Sequence, residues 1–140
     1  MNRFLIALLA SVALMGCTAP ADLEFENARV RALIPGQDKT VAYVDLHNHT
    51  EAPMVLVGAE STNVRAIEIH TTRLQDGVMR MRRLNEVTIP ARDTIHFQPG
   101  GRHLMLFGVK SLGSELDIQL RFADGGSRTI TFRQIAIGAK

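Results

Sequence analysis

The stretch "DIQLRFADGGSRTITFRQI", residues 117–135, decides the fold class. "DIQLRF" and "RTITFRQI" each alternate apolar with polar side chains, the pattern of a strand with one buried face. Between them "ADGG" supplies residues that tolerate the left-handed backbone of a tight turn. The same texture extends outward in both directions. Strands are predicted over 24–33, 41–48, 54–61, 66–71, 78–83, 94–97, 103–107, 115–122 and 128–134, and turn signals such as "PGQDK", "HTEAP", "QDG", "QPGG" and "SLGS" punctuate them. No long amphipathic helix interrupts the series. The expected architecture is all-β: a single-domain Greek-key sandwich or barrel.

Composition agrees with one folded domain. The 140 residues are 46% hydrophobic and 21% charged, outside the range of disordered chains. The formal net charge is +2, and without Arg3 the 16 basic side chains become 15 against 14 acidic ones. No run of Lys or Arg offers a phosphate backbone a footprint, so nucleic acid is not an expected partner.

The N-terminus reads differently from the rest. "MNRFLIALLASVALMGC" places Arg3 before an apolar run from Phe4 to Met15 and ends at the only cysteine, Cys17. The run is too short for a membrane span and suits the core of a signal peptide. "LMGC" resembles the lipobox of bacterial lipoproteins. The expected organisation is a signal peptide over 1–16, a lipidated linker over 17–22 beginning at Cys17, and a β domain over 23–140. Such a chain would be exported and held on a membrane by its acyl chains. With Cys17 acylated, the mature domain would have neither thiol nor disulfide.

Candidate chemistry lies on three of the strands. In "AIEIH", His70 and Glu68 face away from Ile67 and Ile69. In "HLM", His103 and Met105 share the face opposite Leu104 and Leu106. In "VMRMR", Met79 and Met81 share a face. Taken singly, a His or Met on a strand is most often a packing residue. Together, two imidazoles and two thioethers form a soft, neutral donor set suited to Cu(I). Calcium and magnesium prefer oxygen, and thioether is a poor zinc ligand. Thioethers also resist the disulfide formation that would disable thiolates outside the cytoplasm. His47 and His49 of "HNH" share a strand face that could take Cu(II) or Zn²⁺, but a solvated strand end is the simpler expectation. Met79 is expected to pack rather than ligate, and His96 to sit at a strand edge. No Gly-x-Ser-x-Gly elbow, phosphate-binding glycine loop or cysteine nucleophile points to an enzyme.

The spacing carries a family resemblance. Ten residues separate His70 from Met81, twenty-one separate Met81 from His103, and one separates His103 from Met105. This His-x10-Met-x21-His-x-Met pattern resembles that of the periplasmic copper chaperones associated with the copper-A centre of cytochrome oxidase. "VRALIPGQDKTVAYVDLHN", "IEIH", "GVMRMR", "IPARDTIHFQPGGRHLMLFG" and "LDIQLRFADGG" are similar to family segments in the same order. Two positions depart from it: Thr71 where methionine often follows the first histidine, and Arg29 in a first strand that often carries tryptophan. The resemblance implies a cupredoxin-like domain binding one Cu(I) through His70, Met81, His103 and Met105. It further implies a periplasmic, monomeric chaperone whose partner is a copper-accepting oxidase subunit or a thiol-bearing oxidase assembly protein. Copper storage or detoxification, and a metal-free envelope interaction module, are the alternative expectations.

Overall fold

The alternation in residues 115–135 is realised as two paired strands with one face inside. In the computed structural model, which describes residues 22–139, Leu116, Ile118, Leu120 and Phe122 are buried, and Ile118 pairs with Ile130. The described residues form ten strands: β1 (Leu23–Arg31), β2 (Lys39–Asn48), β3 (Met54–Glu60), β4 (Val64–Gln75), β5 (Val78–Leu84), β6 (Val87–Ile89), β7 (Thr94–His96), β8 (Arg102–Val109), β9 (Glu115–Phe122) and β10 (Ser127–Ile135).

Pairing runs β4–β8–β2–β1–β10–β9–β3, and a β3–β4 pair at Ala59 and Ile67 closes the ring. The result is a closed seven-stranded barrel, with β5 added outside β4, β6 beside β3 and β7 beside β2. Among these ten strands, β1 and β10 are the one parallel pair. Closure removes the sheet edges within the ring, leaving β5 as an outer edge strand. Inside, Val30, Ala42, Leu46, Ile89, Phe97, Leu104, Leu106, Ile118, Leu120 and Phe132 are fully buried in one cluster.

The sequence boundaries shift in two informative places. β4 runs on past Thr71 to Gln75, because β5 pairs with it as far as Gln75 and Val78. The turn between them uses Asp76 and Gly77 at φ of 52° and 76°, the left-handed pair favoured in two-residue hairpin loops. β6 was not among the predicted strands; three residues give too short an alternation to register, yet Val87 and Ile89 are buried against the core.

Candidate metal centre

The site begins with the register between β4 and β8. His70 lies directly opposite His103, and Glu68 directly opposite Met105. Residues opposed in an antiparallel pair share a face, so these four side chains share the outer face, while Ile69 and Leu104 point into the barrel. β5 contributes from the other side: Met81 opposes Thr72, which lies on the same face as His70 two residues along β4. The structure thus turns His70, Met81, His103 and Met105 toward one face from three adjacent strands. Met79, opposite Leu74, also faces this way, nearer the hairpin tip.

The two halves of the set differ in exposure. His103 is buried and the His70 side chain nearly so, with ring centroids 5.8 Å apart and Phe107 flanking His70 at 6.3 Å. Met105 is half-buried, whereas Met81 is 53% exposed on the edge strand.

Hydrogen bonds fix which nitrogen of each ring carries its proton. His103 Nδ1–H donates to the Gly101 carbonyl at 3.2 Å, and a carbonyl can only accept, so the lone pair of the neutral ring resides on Nε2. His70 Nε2–H donates to Glu68 Oε2 at 2.8 Å, which leaves its lone pair on Nδ1. His103 Nε2 and His70 Nδ1 are both buried and without any hydrogen-bond partner. Unpartnered buried polar atoms are costly and uncommon; here each ring presents one as a free σ donor.

Glu68 organises the site from behind. One carboxylate oxygen holds His70, and the other meets Arg83 Nη1 at 3.3 Å. The bond from His70 holds the Glu68 carboxyl below its usual range; desolvation opposes this and Arg83 reinforces it. A carboxylate–histidine pair of this kind orients the ring and raises its basicity as a ligand. Burial pushes the His103 imidazole below its ordinary pKa; the Gly101 bond opposes that effect and the nearby His70 adds to it. The burial of His103 favours the neutral ring, the form that can ligate. Glu68 and Arg83 were missed as functional residues, although the shared face of Glu68 and His70, two apart on one strand, was a legible signal.

The remaining sequence candidates lie elsewhere. His47 and His49 stack with centroids 6.4 Å apart, but each is bound to its own carboxylate, Glu26 at 3.2 Å and Glu24 at 2.8 Å. His96 is a strand-edge residue on β7 that pairs with Asp45 at 2.7 Å. Among the described residues, no three His, Cys, Asp or Glu side chains gather as a metal-holding group. At the departure point Arg29, the guanidinium lies over the Tyr43 ring, 5.2 Å from its centroid. Cys17 lies outside the described residues.

The barrel with this outer His/Met face defines the class: its fold is the cupredoxin-like fold of PCuAC domains. The copper-bound PCuAC domain from PmoF2 superposes with a TM-score of 0.71 at 22% identity, covering 85% of this chain and 97% of that domain. The solution structure of Cu(I)-bound DR1885 from Deinococcus radiodurans is 31% identical with a TM-score of 0.65, covering 86% of this chain and 82% of that one. The chain belongs to the family described as "Putative lipoprotein LpqE-like", whose model matches residues 23–133. A lipoprotein relative from Leifsonia xyli subsp. xyli is 32% identical over 99 residues, covering 68% of this chain; the chain spans only 60% of its length. An uncharacterized protein of Rickettsia prowazekii is 29% identical over 122 residues, covering 82% of this chain and 67% of its own length.

Proposed function

We propose that this chain is an exported copper chaperone, anchored in a membrane through a lipid on Cys17. On this reading it binds one Cu(I) through His70, Met81, His103 and Met105. The observation that carries the reading is the pair of buried, unpartnered ring nitrogens, His70 Nδ1 and His103 Nε2, on the face that also holds Met81 and Met105. Neutral imidazole and thioether match the softness of Cu(I), and the likeness to Cu(I)-bound DR1885 supports the cargo. On this reading the role is that of a carrier rather than an enzyme, which the likeness to Cu(I)-bound DR1885 supports.

Transfer follows from the asymmetry of exposure. The histidines are set in the barrel wall, while Met81 stands on the edge strand, where an incoming donor can replace it first. A copper-accepting oxidase subunit or a thiol-bearing oxidase assembly protein in the periplasm is the proposed recipient. Replacing Met81 and Met105 together by Leu and titrating with a competing Cu(I) chelator tests the site; unchanged affinity refutes it. Deletion of the gene separates delivery from storage. Loss of oxidase activity restored by added copper supports delivery, whereas copper sensitivity with normal oxidase activity supports detoxification.

A further inference from the structure

We propose that the β4–β5 hairpin docks on an anionic phospholipid surface, through Arg73, Arg80 and Arg82 on one face and Leu74 and Val78 at its tip. Both residues flanking the turn pair and their neighbours are open to solvent. Leu74 is 69% and Val78 54% exposed, and Met79 beside them is also exposed. The two faces of the hairpin divide the labour. His70, Thr72, Leu74, Met79, Met81 and Arg83 lie on the metal-site face, and Arg83 is engaged by Glu68. Arg73 directly opposes Arg80 on the other face, and Arg82 follows beside Thr71.

Like charges directly opposed across two strands destabilise the pair. Yet none of Arg73, Arg80 and Arg82 makes an ion pair among the described residues. They line a groove of about 500 Å³ with Thr71, Leu74, Gln75 and Leu84, and no carboxylate lines it. Asp76 in the turn is the one acidic residue from Arg73 to Arg83. The arrangement suits a ligand that is negative and apolar in adjoining layers, which is the headgroup–acyl boundary of a bilayer.

Position selects the membrane over an acidic protein. Ala42, Leu104 and Ile69 lie on one row across β2, β8 and β4. From that row, six residues along β2 reach Asn48, paired with Leu23, and six along β4 reach Gln75, paired with Val78. The hairpin tip and the point where the chain enters the barrel therefore lie at the same end. Five residues lie between Cys17 and Leu23, so the six steps from one to the other reach about 20 Å at 3.3–3.6 Å per residue. A lipid on Cys17, as proposed above, would hold this end against the bilayer, while the opposite hairpin face stays open to a copper acceptor.

The test uses the acylated chain in vesicles. Cys17 is the only cysteine, so V78C gives a single free thiol for an environment-sensitive fluorophore, and I137C at the far end of the barrel gives the control. In phosphatidylglycerol-containing vesicles the position-78 probe should shift to the blue and be quenched by brominated lipid, while the position-137 probe should not. Phosphatidylcholine vesicles should abolish the effect. R80S should weaken docking about fivefold, and R73S/R80S/R82S about a hundredfold, from the attraction of each charge to an anionic surface; thermal unfolding checks that each variant is folded. A chain that floats with the vesicles but keeps a solvent-exposed position-78 probe overturns the docking and leaves the anchor standing. A chain that does not float overturns both. Docking indifferent to the arginines, or a triple variant that fails only in copper transfer to an acceptor protein, overturns the proposal in favour of a protein partner.

Discussion

Glu68 provides the sharpest test of how the site is organised. Its carboxylate accepts from His70 Nε2–H at 2.8 Å and thereby leaves Nδ1 as the free donor of the ring. In E68A that constraint disappears, and the ring is free to exchange tautomers and rotate. Loss of such an outer partner typically lowers metal affinity 10- to 100-fold, about 1.4–2.7 kcal/mol. E68Q distinguishes charge from geometry. The amide oxygen still accepts from Nε2–H, but a neutral bond is roughly half as strong as a charge-assisted one. About half of the free energy should survive, so E68Q should weaken Cu(I) binding roughly three- to tenfold. Arg83 is largely exposed where it meets Glu68, and R83S should cost less than about fivefold. Competition with a Cu(I) chelator reads the affinities. Nitrogen-15 NMR of the apo protein reads the tautomer: His70 Nδ1 should give an unprotonated signal in the parent protein and a mixed one in E68A. An E68A protein with parental affinity and a parental His70 signal would refute the argument.

Three further outcomes follow from the same geometry. M81L should lose Cu(I) affinity with little change in thermal stability, since Met81 is 53% exposed; M79L, nearer the hairpin tip, should keep the affinity, as chelator titration of the two variants will read. The pKa of His103 is lowered in the fold, chiefly by burial, so the unfolded chain takes up that proton first as pH falls. Its contribution to apo stability is therefore complete above the unfolded value of about 6.5 and is lost as pH drops through the folded value. Urea unfolding across that range should show a weaker pH dependence in H103Q than in the parent, and identical slopes would contradict the assignment. Asn48 is buried, with Nδ2 donating to the carbonyls of Ala52, Ile89 and Pro90 and Oδ1 accepting from Thr50. N48A strands several of these groups at about 1–3 kcal/mol each, so chemical denaturation should show a loss of at least about 2 kcal/mol.

What the sequence disclosed follows from which signals are local. Alternation along 117–135 and the turn residues are properties of neighbouring positions, and they carried the all-β architecture. The opposition of Leu104 and Leu106 to His103 and Met105 was likewise legible, because a strand's period of two needs no partner. In "VMRMR" the alternation alone does not say which face is core. The structure shows that neither is: every residue from Val78 to Arg83 is exposed, since β5 lies outside the ring. The orphaned nitrogens were beyond reach for another reason. They depend on the register that sets His70 against His103 and on the Gly101 carbonyl across a turn, and register is a long-range property.

The division between buried imidazoles and an exposed thioether bears on the direction of transfer. If all four donors were enclosed, release would require opening the barrel wall, where Ile69 and Leu104, flanking the two histidines, are core residues. An edge strand needs no such opening. Among the described residues β5 is hydrogen-bonded only to β4, so a Cu(I)-bound Met81, as proposed, would be open to displacement by a partner's donor while His70 and His103 stay fixed by Glu68 and Gly101. On the proposed reading, exchange would start at sulfur and end at nitrogen, and the last bonds to break would be those to the rings held in place. A conservative change on β4 that alters the packing beside Met81 without removing a donor, such as T72V opposite it, should then change the rate of transfer while leaving equilibrium affinity unchanged. Stopped-flow transfer to a chelating acceptor measures this, and equal rates for T72V and the parent would show that exchange does not begin on the edge strand.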